Sequence, residues 1–198
     1  MNTAKTIQFA VQSNGRLTEP SLQYLRAAGL EFTSNGRTLI TSCTNRDLNI
    51  LYLRNADIPE YVSRGVADYG IVGENVLLEK GVRVTVRKKL GFGRCALVIA
   101  VPNDSLIRTV RDLDGERIAT SYPRILNDFL KAQGINAAVI PIQGSVEIAP
   151  SVNLADAICD LTQSGETLRA NNLRVLANIM DSEAVLISNQ LIDNPFPL

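Results

Sequence analysis

Between Leu154 and Leu168 the chain reads LADAICDLTQSGETL, a run whose residue types and order suit the binding of a phosphorylated sugar. Ala155, Ala157, Ile158 and Cys159 predict a buried strand, and Ser164, Gly165 and Thr167 predict the start of the helix that follows. A helix start presents unpaired backbone N–H groups and the positive end of its dipole, so a phosphate is bound there without a lysine. Gly165 lets the backbone come close to an anion, and the hydroxyls of Ser164 and Thr167 can donate to its oxygens. Asp156 and Asp160, beside this cradle, have the chemistry to hold ribose hydroxyls or a magnesium ion on a diphosphate. The same pattern also fits a strand, a turn and a capped helix that binds nothing.

Composition narrows what else the chain can do. It has no histidine among 198 residues, which removes imidazole acid–base chemistry, Ser-His-Asp and Cys-His triads and most zinc sites. What remains is carboxylates, Arg, Lys, hydroxyls and backbone. Lys plus Arg and Asp plus Glu both number 20, so no overall basic excess points to nucleic acid. Cys43, Cys95 and Cys159 lie far apart without C-x-x-C spacing, as expected of reduced thiols rather than a disulfide framework or metal cluster. The opening residues carry too short an apolar stretch for a signal peptide, and no run is long enough to span a bilayer. A cytoplasmic protein that binds neither membrane nor nucleic acid is expected.

The elements that must position these residues alternate between short apolar runs and amphipathic segments, the pattern of an α/β protein. Ile7 to Val11 predicts a strand, followed by the loop QSNGR and a helix opening near Thr18 and ending at Gly29. Leu39 and Ile40, then Ile50 to Leu53, read as a hairpin or neighbouring edge strands. Asp57 is the expected N-cap of a helix with Pro59 in its first turn, closed by Gly65. Val66 to Val72 predicts a buried strand carrying Asp68, and Cys95 to Val101 another covered on both faces. Arg117 to Thr120, the helix opened by Ser121-Tyr122-Pro123, Val139 to Ile142, a turn into a helix at Gly144 to Glu147, and strands at Leu173 to Ile179 and Glu183 to Ser188 complete the order. The tail LIDNPFPL is expected to be loose. These units group into two lobes, residues 1–94 plus 176–198 and residues 95–175, with a ligand cleft expected between them.

Six stretches together resemble the ATP phosphoribosyltransferases that open histidine biosynthesis: NGRLTEPS, RNADIPEYVSRGVADYGIVGENVL, LGFGRCALVIAVP, DGERIATSYPRIL, GSVEIAP and LADAICDLTQSGETLRAN. They follow the family's order and cover nearly the whole chain. The resemblance implies a two-lobed fold of the periplasmic-binding-protein-like (type II) kind. It also implies a reaction that joins N1 of the adenine of ATP to C1 of phosphoribosyl pyrophosphate and releases pyrophosphate, with Mg2+ assisting. Adenine N1 carries a lone pair and loses no proton before attack, so such chemistry is electrostatic and positional work that suits a chain without histidine.

Carried over by motif, Asp156, Asp160, Ser164, Gly165, Glu166 and Thr167 would hold the ribose and 5-phosphate of phosphoribosyl pyrophosphate. Arg16, whose planar guanidinium binds two oxygens at once, is the expected partner of ATP phosphates or pyrophosphate; a surface salt bridge is its plainer reading. Arg54 and Arg94 would add positive potential, and Asp68 would accept from adenine or ribose. Tyr122 would pack on the base, and Glu147 would bind ribose or metal; core packing and helix capping compete for both. Arg16, Asp160 and Glu147 are thus the candidate catalytic groups, with Asp160 and Glu147 the candidate metal contacts, mainly through substrate phosphates.

The chain departs from the family at Asn14, where Lys or Ser is frequent, at Gln163 and Ser164 in the loop, and at Asn172, where Gly is usual. Long members carry a C-terminal regulatory domain that binds histidine; short members use a partner related to histidyl-tRNA synthetase. This chain stops where that domain would begin, so the resemblance implies either a catalytic core without it or a short form needing the partner, and assembly from dimers upward. The competing reading is a two-lobed solute-binding or ligand-sensing protein without catalysis, or a subunit that only assembles.

Overall fold

The computed structural model describes residues 6–34 and 38–192. The chain divides into two compact units, one made of residues up to Gly93 together with those from Glu183 onward, the other of Arg94–Ser182.

The first unit contains β1 (Ile7–Gln12), α1 (Thr18–Ala27), β2 (Ile40–Ser42), β3 (Leu48–Leu53), α2 (Ile58–Ser63), β4 (Tyr69–Gly73), α3 (Glu74–Lys80), β5 (Thr85–Lys89) and the last strand, β11 (Ala184–Ser188). They form one sheet in the order β2-β3-β1-β4-β11-β5, with β1 parallel to both β3 and β4. Because side chains alternate along a strand, Phe9 and Val11 join Ile50, Tyr52 and Ile71 beneath Leu22 and Leu25 of α1. Ala10, Leu51 and Val72 face the other way, against Ile58 and Val62 of α2 and Leu77 of α3. Burial on both faces explains the apolar stretches at residues 9–11, 50–53 and 71–72 within these strands.

The second unit contains β6 (Cys95–Pro102), a 3-10 turn at Val110–Leu113, β7 (Arg117–Thr120), α4 (Pro123–Gln133), β8 (Ala138–Pro141), a 3-10 turn at Val146–Ile148, β9 (Ala157–Thr162), α5 (Glu166–Ala170) and β10 (Leu173–Ser182). Its sheet order is β10-β6-β9-β7-β8, with β7, β8 and β9 parallel and β6 antiparallel to β9. Leu97, Ile99 and Cys159 pack with Leu126 and Leu130 of α4 on one face. Val98, Ala100 and Ile158 pack with Val146, Ala149 and Leu168 on the other.

Several expectations need adjusting. Asp57 stands at the N-cap of α2, but its side chain makes no capping bond; Pro59 and the Glu60 N–H to Asp57 C=O bond start the helix. The strand expected from Val66 begins at Tyr69, leaving Asp68 before it. The helix expected after Gly144 is a single 3-10 turn. Residue 176, where the chain was expected to return to the first lobe, lies inside β10, which stays paired with β6 through Ser182. β5 had no sequence signal: TVRKK is charged and partly exposed, as befits the edge of a sheet.

The expectation of a loose tail concerns mainly residues 193–198, which lie outside the described residues, as do residues 1–5. Its first two residues are held: Leu191 N–H donates to Asn189 Oδ1, and Ile192 packs on the core. Among the described residues no helix is long and apolar enough to cross a membrane.

Candidate functional site

In open α/β sheets, loops at the carboxyl ends of parallel strands are free to bind ligands, since the helices that follow aim their N-termini there. In the first unit β1 ends at Gln12 and β3 at Leu53, paired side by side, and Ser13 N–H donates to Leu53 C=O at 2.7 Å. Arg16 and Arg54 therefore follow two adjacent parallel strands at the same edge, and both are exposed.

In the second unit the equivalent edge carries Tyr122 after β7, Glu147 after β8 and the segment Gln163–Thr167 after β9. β6 runs the other way, and Ala96 pairs with Thr162, so Arg94 also belongs to this edge. Thus Arg94, Tyr122, Glu147 and Ser164–Thr167 share one end of one sheet.

The turn after β9 has a defined internal structure. Gly165 is left-handed (φ 75, ψ 4) and caps α5; a Cβ there would lie 3.0 Å from Nη1 of Arg169. Its N–H donates to Thr162 Oγ1 at 3.1 Å, and Glu166 N–H to Ser164 Oγ at 3.4 Å. The hydroxyls of Thr162 and Ser164 thus hold the turn from within, while Leu168 is buried and fixes α5 to the sheet. Ser164, Glu166 and Thr167 are exposed, with the guanidinium of Arg169 one helical turn beyond Gly165. Sequence reasoning passed over Arg169; its spacing of four residues from the glycine was the available signal. Asn172 is left-handed as well (φ 56), a conformation Asn tolerates better than most residues, and its Oδ1 accepts from Asn103 Nδ2 at 2.7 Å. The substitution at a position where the family usually has Gly therefore preserves the backbone.

Asp160 lies within β9 two residues before Thr162, on the face that holds Ile158 and the 3-10 turn bearing Glu147. Both carboxylates are half-buried. Tyr122 is fixed by its backbone: its N–H donates to Thr120 Oγ1 at 2.8 Å, and the same hydroxyl donates to Cys159 C=O at 2.7 Å. The Tyr122 ring packs against the α4 side of the core.

Two expected ligand residues are placed elsewhere. Asp156 precedes β9 at its amino end, about 20 Å along the strand from Thr162 at ~3.3 Å per residue. There its Oδ2 accepts from Arg117 Nε at 2.9 Å and Arg117 N–H at 3.0 Å, and its Oδ1 from Nη2 at 2.8 Å. The guanidinium holds the Asp156 carboxyl down at about 2. Partial burial, reinforced by the neighbouring Asp156 charge, pushes Glu116 up. Asp68 likewise precedes β4, and its Oδ2 accepts from Gln8 N–H at 2.8 Å, tying the amino ends of β1 and β4. Both carboxylates are already bonded to the protein at the edge opposite the loops, so neither is positioned as the resemblance implied.

No group of three or more Asp, Glu, Cys or His side chains converges on a common point among the described residues. The carboxylates at the loop edge, Asp160, Glu147 and Glu166, do not form such a group. That fits Mg2+ carried largely by substrate phosphates and water, the usual habit of this ion, rather than an all-protein cage.

Comparison with known proteins bears on the whole arrangement. The family model HisG, ATP phosphoribosyltransferase, matches residues 54–194. The ATP phosphoribosyltransferase of Cytophaga hutchinsonii is 47% identical over 180 residues, covering 91% of this chain and 63% of that protein. That of Methanosarcina barkeri is 40% identical over 186 residues, covering 93% and 64%. The chain thus spans just under two thirds of the length of the curated relatives it matches. Among solved structures, the ATP phosphoribosyl transferase (HisG:HisZ) complex from Thermotoga maritima gives a TM-score of 0.80 at 31% identity, covering 92% of this chain and 87% of that one. The periplasmic aliphatic sulphonate binding protein SsuA from Escherichia coli gives 0.61 at 15% identity over 95% and 66%, a likeness of fold. The fold is therefore α/β and periplasmic-binding-protein-like, and the chain belongs to the ATP phosphoribosyltransferase family.

Proposed function

We propose that this chain carries the catalytic machinery of an ATP phosphoribosyltransferase, forming the bond between adenine N1 of ATP and C1 of phosphoribosyl pyrophosphate as the C1–O bond to pyrophosphate breaks. The observation that carries this reading is the loop edge of the second unit, where Asp160, the left-handed Gly165 and the exposed Ser164, Glu166 and Thr167 lie inside a family match that spans most of the chain.

In this reading the second unit takes phosphoribosyl pyrophosphate. The Ser164–Thr167 turn holds the 5-phosphate, exchanging the internal bonds from Thr162 and Ser164 for bonds to phosphate oxygens. Asp160 accepts from the ribose hydroxyls, and its charge favours the cationic ribosyl centre that develops as pyrophosphate departs. Glu147 lies on the same face and adds a second carboxylate. The first unit takes ATP, with Arg16 and Arg54 facing its phosphates, and Arg94 adds positive charge beside the leaving diphosphate. Tyr122 acts by fixing the turn after β7 at this end of the sheet, its ring packed on the core. Mg2+ bound to the diphosphate, with Asp160 or Glu147 as a protein contact, would neutralise charge on the leaving group. Asp68 and Asp156 have no ligand role, because their carboxylates already brace the opposite sheet edges.

A cytoplasmic homo-oligomer, helped by a regulatory partner related to histidyl-tRNA synthetase, completes the proposal; the Thermotoga maritima relative is itself a HisG:HisZ complex. The test is direct. The chain, alone and with such a partner, is incubated with ATP, phosphoribosyl pyrophosphate, Mg2+ and a pyrophosphatase, and the ultraviolet absorbance of N1-substituted adenine is followed. Product formation supports the reading. Tight nucleotide binding without product under both conditions overturns it in favour of a binding protein.

A further inference from the structure

We infer that Gln12 is a positioning residue that sets the loop carrying Arg16, an inference that rests on the proposed role of Arg16 as a phosphate contact. Gln12 is the last residue of β1, and the chain must travel from there to α1 through four residues, Ser13 to Arg16, before Leu17. Leu17 occupies the N-cap position of α1 but has no polar side chain to cap with. Gln12 instead holds the N-cap residue itself from the strand side: its Oε1 accepts from Leu17 N–H at 3.1 Å.

The loop is closed tightly around this carboxamide. Gly15 has φ +130, and a Cβ built on it would lie 2.9 Å from Cδ of Gln12, so no other residue fits without moving the amide. Thr18 N–H donates to Gly15 C=O at 3.1 Å, and Ser13 N–H to Leu53 C=O at 2.7 Å. On the far side the Leu17 side chain is buried in the core. Arg16 is therefore an exposed residue between two anchored neighbours, and the carboxamide of Gln12 is the strut beneath it. A glutamine suits the task by length: an asparagine would end one methylene short of the Leu17 N–H.

A double-mutant cycle tests this, read as the Kd for ATP and for phosphoribosyl pyrophosphate by titration calorimetry on the full chain with Mg2+ present. Arg16→Ala identifies the ligand that Arg16 contacts. Gln12→Met keeps length and removes the acceptor; it is expected to weaken the same ligand by about fivefold to tenfold, the scale of one hydrogen bond. In the double variant the Gln12 effect disappears, because it acts through Arg16. Should Gln12→Met fail to fold, Gly15→Ala replaces it in the same cycle, since it displaces the amide while leaving it present. Wild-type affinity in Gln12→Met or Gly15→Ala while Arg16→Ala is impaired overturns the inference, as do effects that multiply in the double variant. Wild-type binding of both ligands by Arg16→Ala instead removes the functional role of Arg16 on which the inference stands.

Discussion

Arg117 grips Asp156 through backbone and side chain at once: Asp156 N–H donates to Arg117 C=O at 2.8 Å while the Asp156 carboxylate accepts from Arg117 N–H, Nε and Nη2. Arg117 begins β7 and Asp156 immediately precedes β9, so the pair aligns two parallel strands at their amino ends. The remaining guanidinium N–H groups reach Asn153 C=O and Oδ1 at 3.0 and 3.1 Å, drawing the preceding turn into the same arrangement.

Asp156→Ala is expected to cost about 1–2 kcal/mol of stability, between the values for exposed and well-formed bidentate pairs, because both side chains are partly exposed. Binding of ATP and phosphoribosyl pyrophosphate should stay within twofold of wild type. Denaturant unfolding together with titration calorimetry checks both halves, and a large loss of affinity at normal stability would return Asp156 to the binding site.

The same pair gives a pH dependence. Its folded-state pKa of about 2 lies below the ordinary 3.8, so its stabilisation is fully present above about pH 4 and is lost as pH falls toward 2. The stability gap between wild type and Asp156→Ala should therefore be constant from pH 7 to about 5 and close below pH 4. Unfolding midpoints measured across that range would show it, and a gap independent of pH down to 2 would contradict the pairing.

Asp160→Asn retains the shape of the side chain in β9 and removes its charge. Turnover should fall by about 100-fold or more, the scale of losing one electrostatic contact to a developing charge. The thermal midpoint should remain within a few degrees, so that chemistry and folding are separated by comparing the absorbance assay with calorimetry.

Gly165→Ala forces a Cβ onto a left-handed residue and against Arg169, 3.0 Å away. A backbone cost of about 1 kcal/mol is expected from conformation alone, with at least tenfold weaker binding of phosphoribosyl pyrophosphate and little change for ATP. By contrast Asn172→Gly, at the other left-handed position of this segment, should leave both binding constants unchanged.

The periodicity of the sequence disclosed most of the framework, because strands buried on both faces announce themselves as apolar runs: β6 and β9 are clear from CALVIAV and AIC. Charged edge strands give no such signal, which is why β5 was missed. At the site, spacing identified the Ser164–Thr167 turn correctly as the entry to a helix. It could not say at which end of a strand a carboxylate lies. Asp156 and Asp160 are four residues apart in sequence, yet only Asp160 is near the loop; the partner that claims Asp156, Arg117, is 39 residues away in the chain. Gln12 was invisible for a related reason: its role depends on Leu17 N–H returning to the strand end, a closure that appears only in three dimensions.

The crossing points between the two units have an architectural consequence. Within the first, Ala184 N–H donates to Phe92 C=O at 2.9 Å, so the chain leaves and re-enters at neighbouring positions. Within the second, Cys95 and Ser182 face each other in the ladder of β6 and β10. Arg94–Ser182 is thus a cassette whose two ends meet, spliced into a host whose own cut ends also meet. Such a module can be lifted out, and its host resealed, without spanning a gap, as domain insertion at adjacent termini requires.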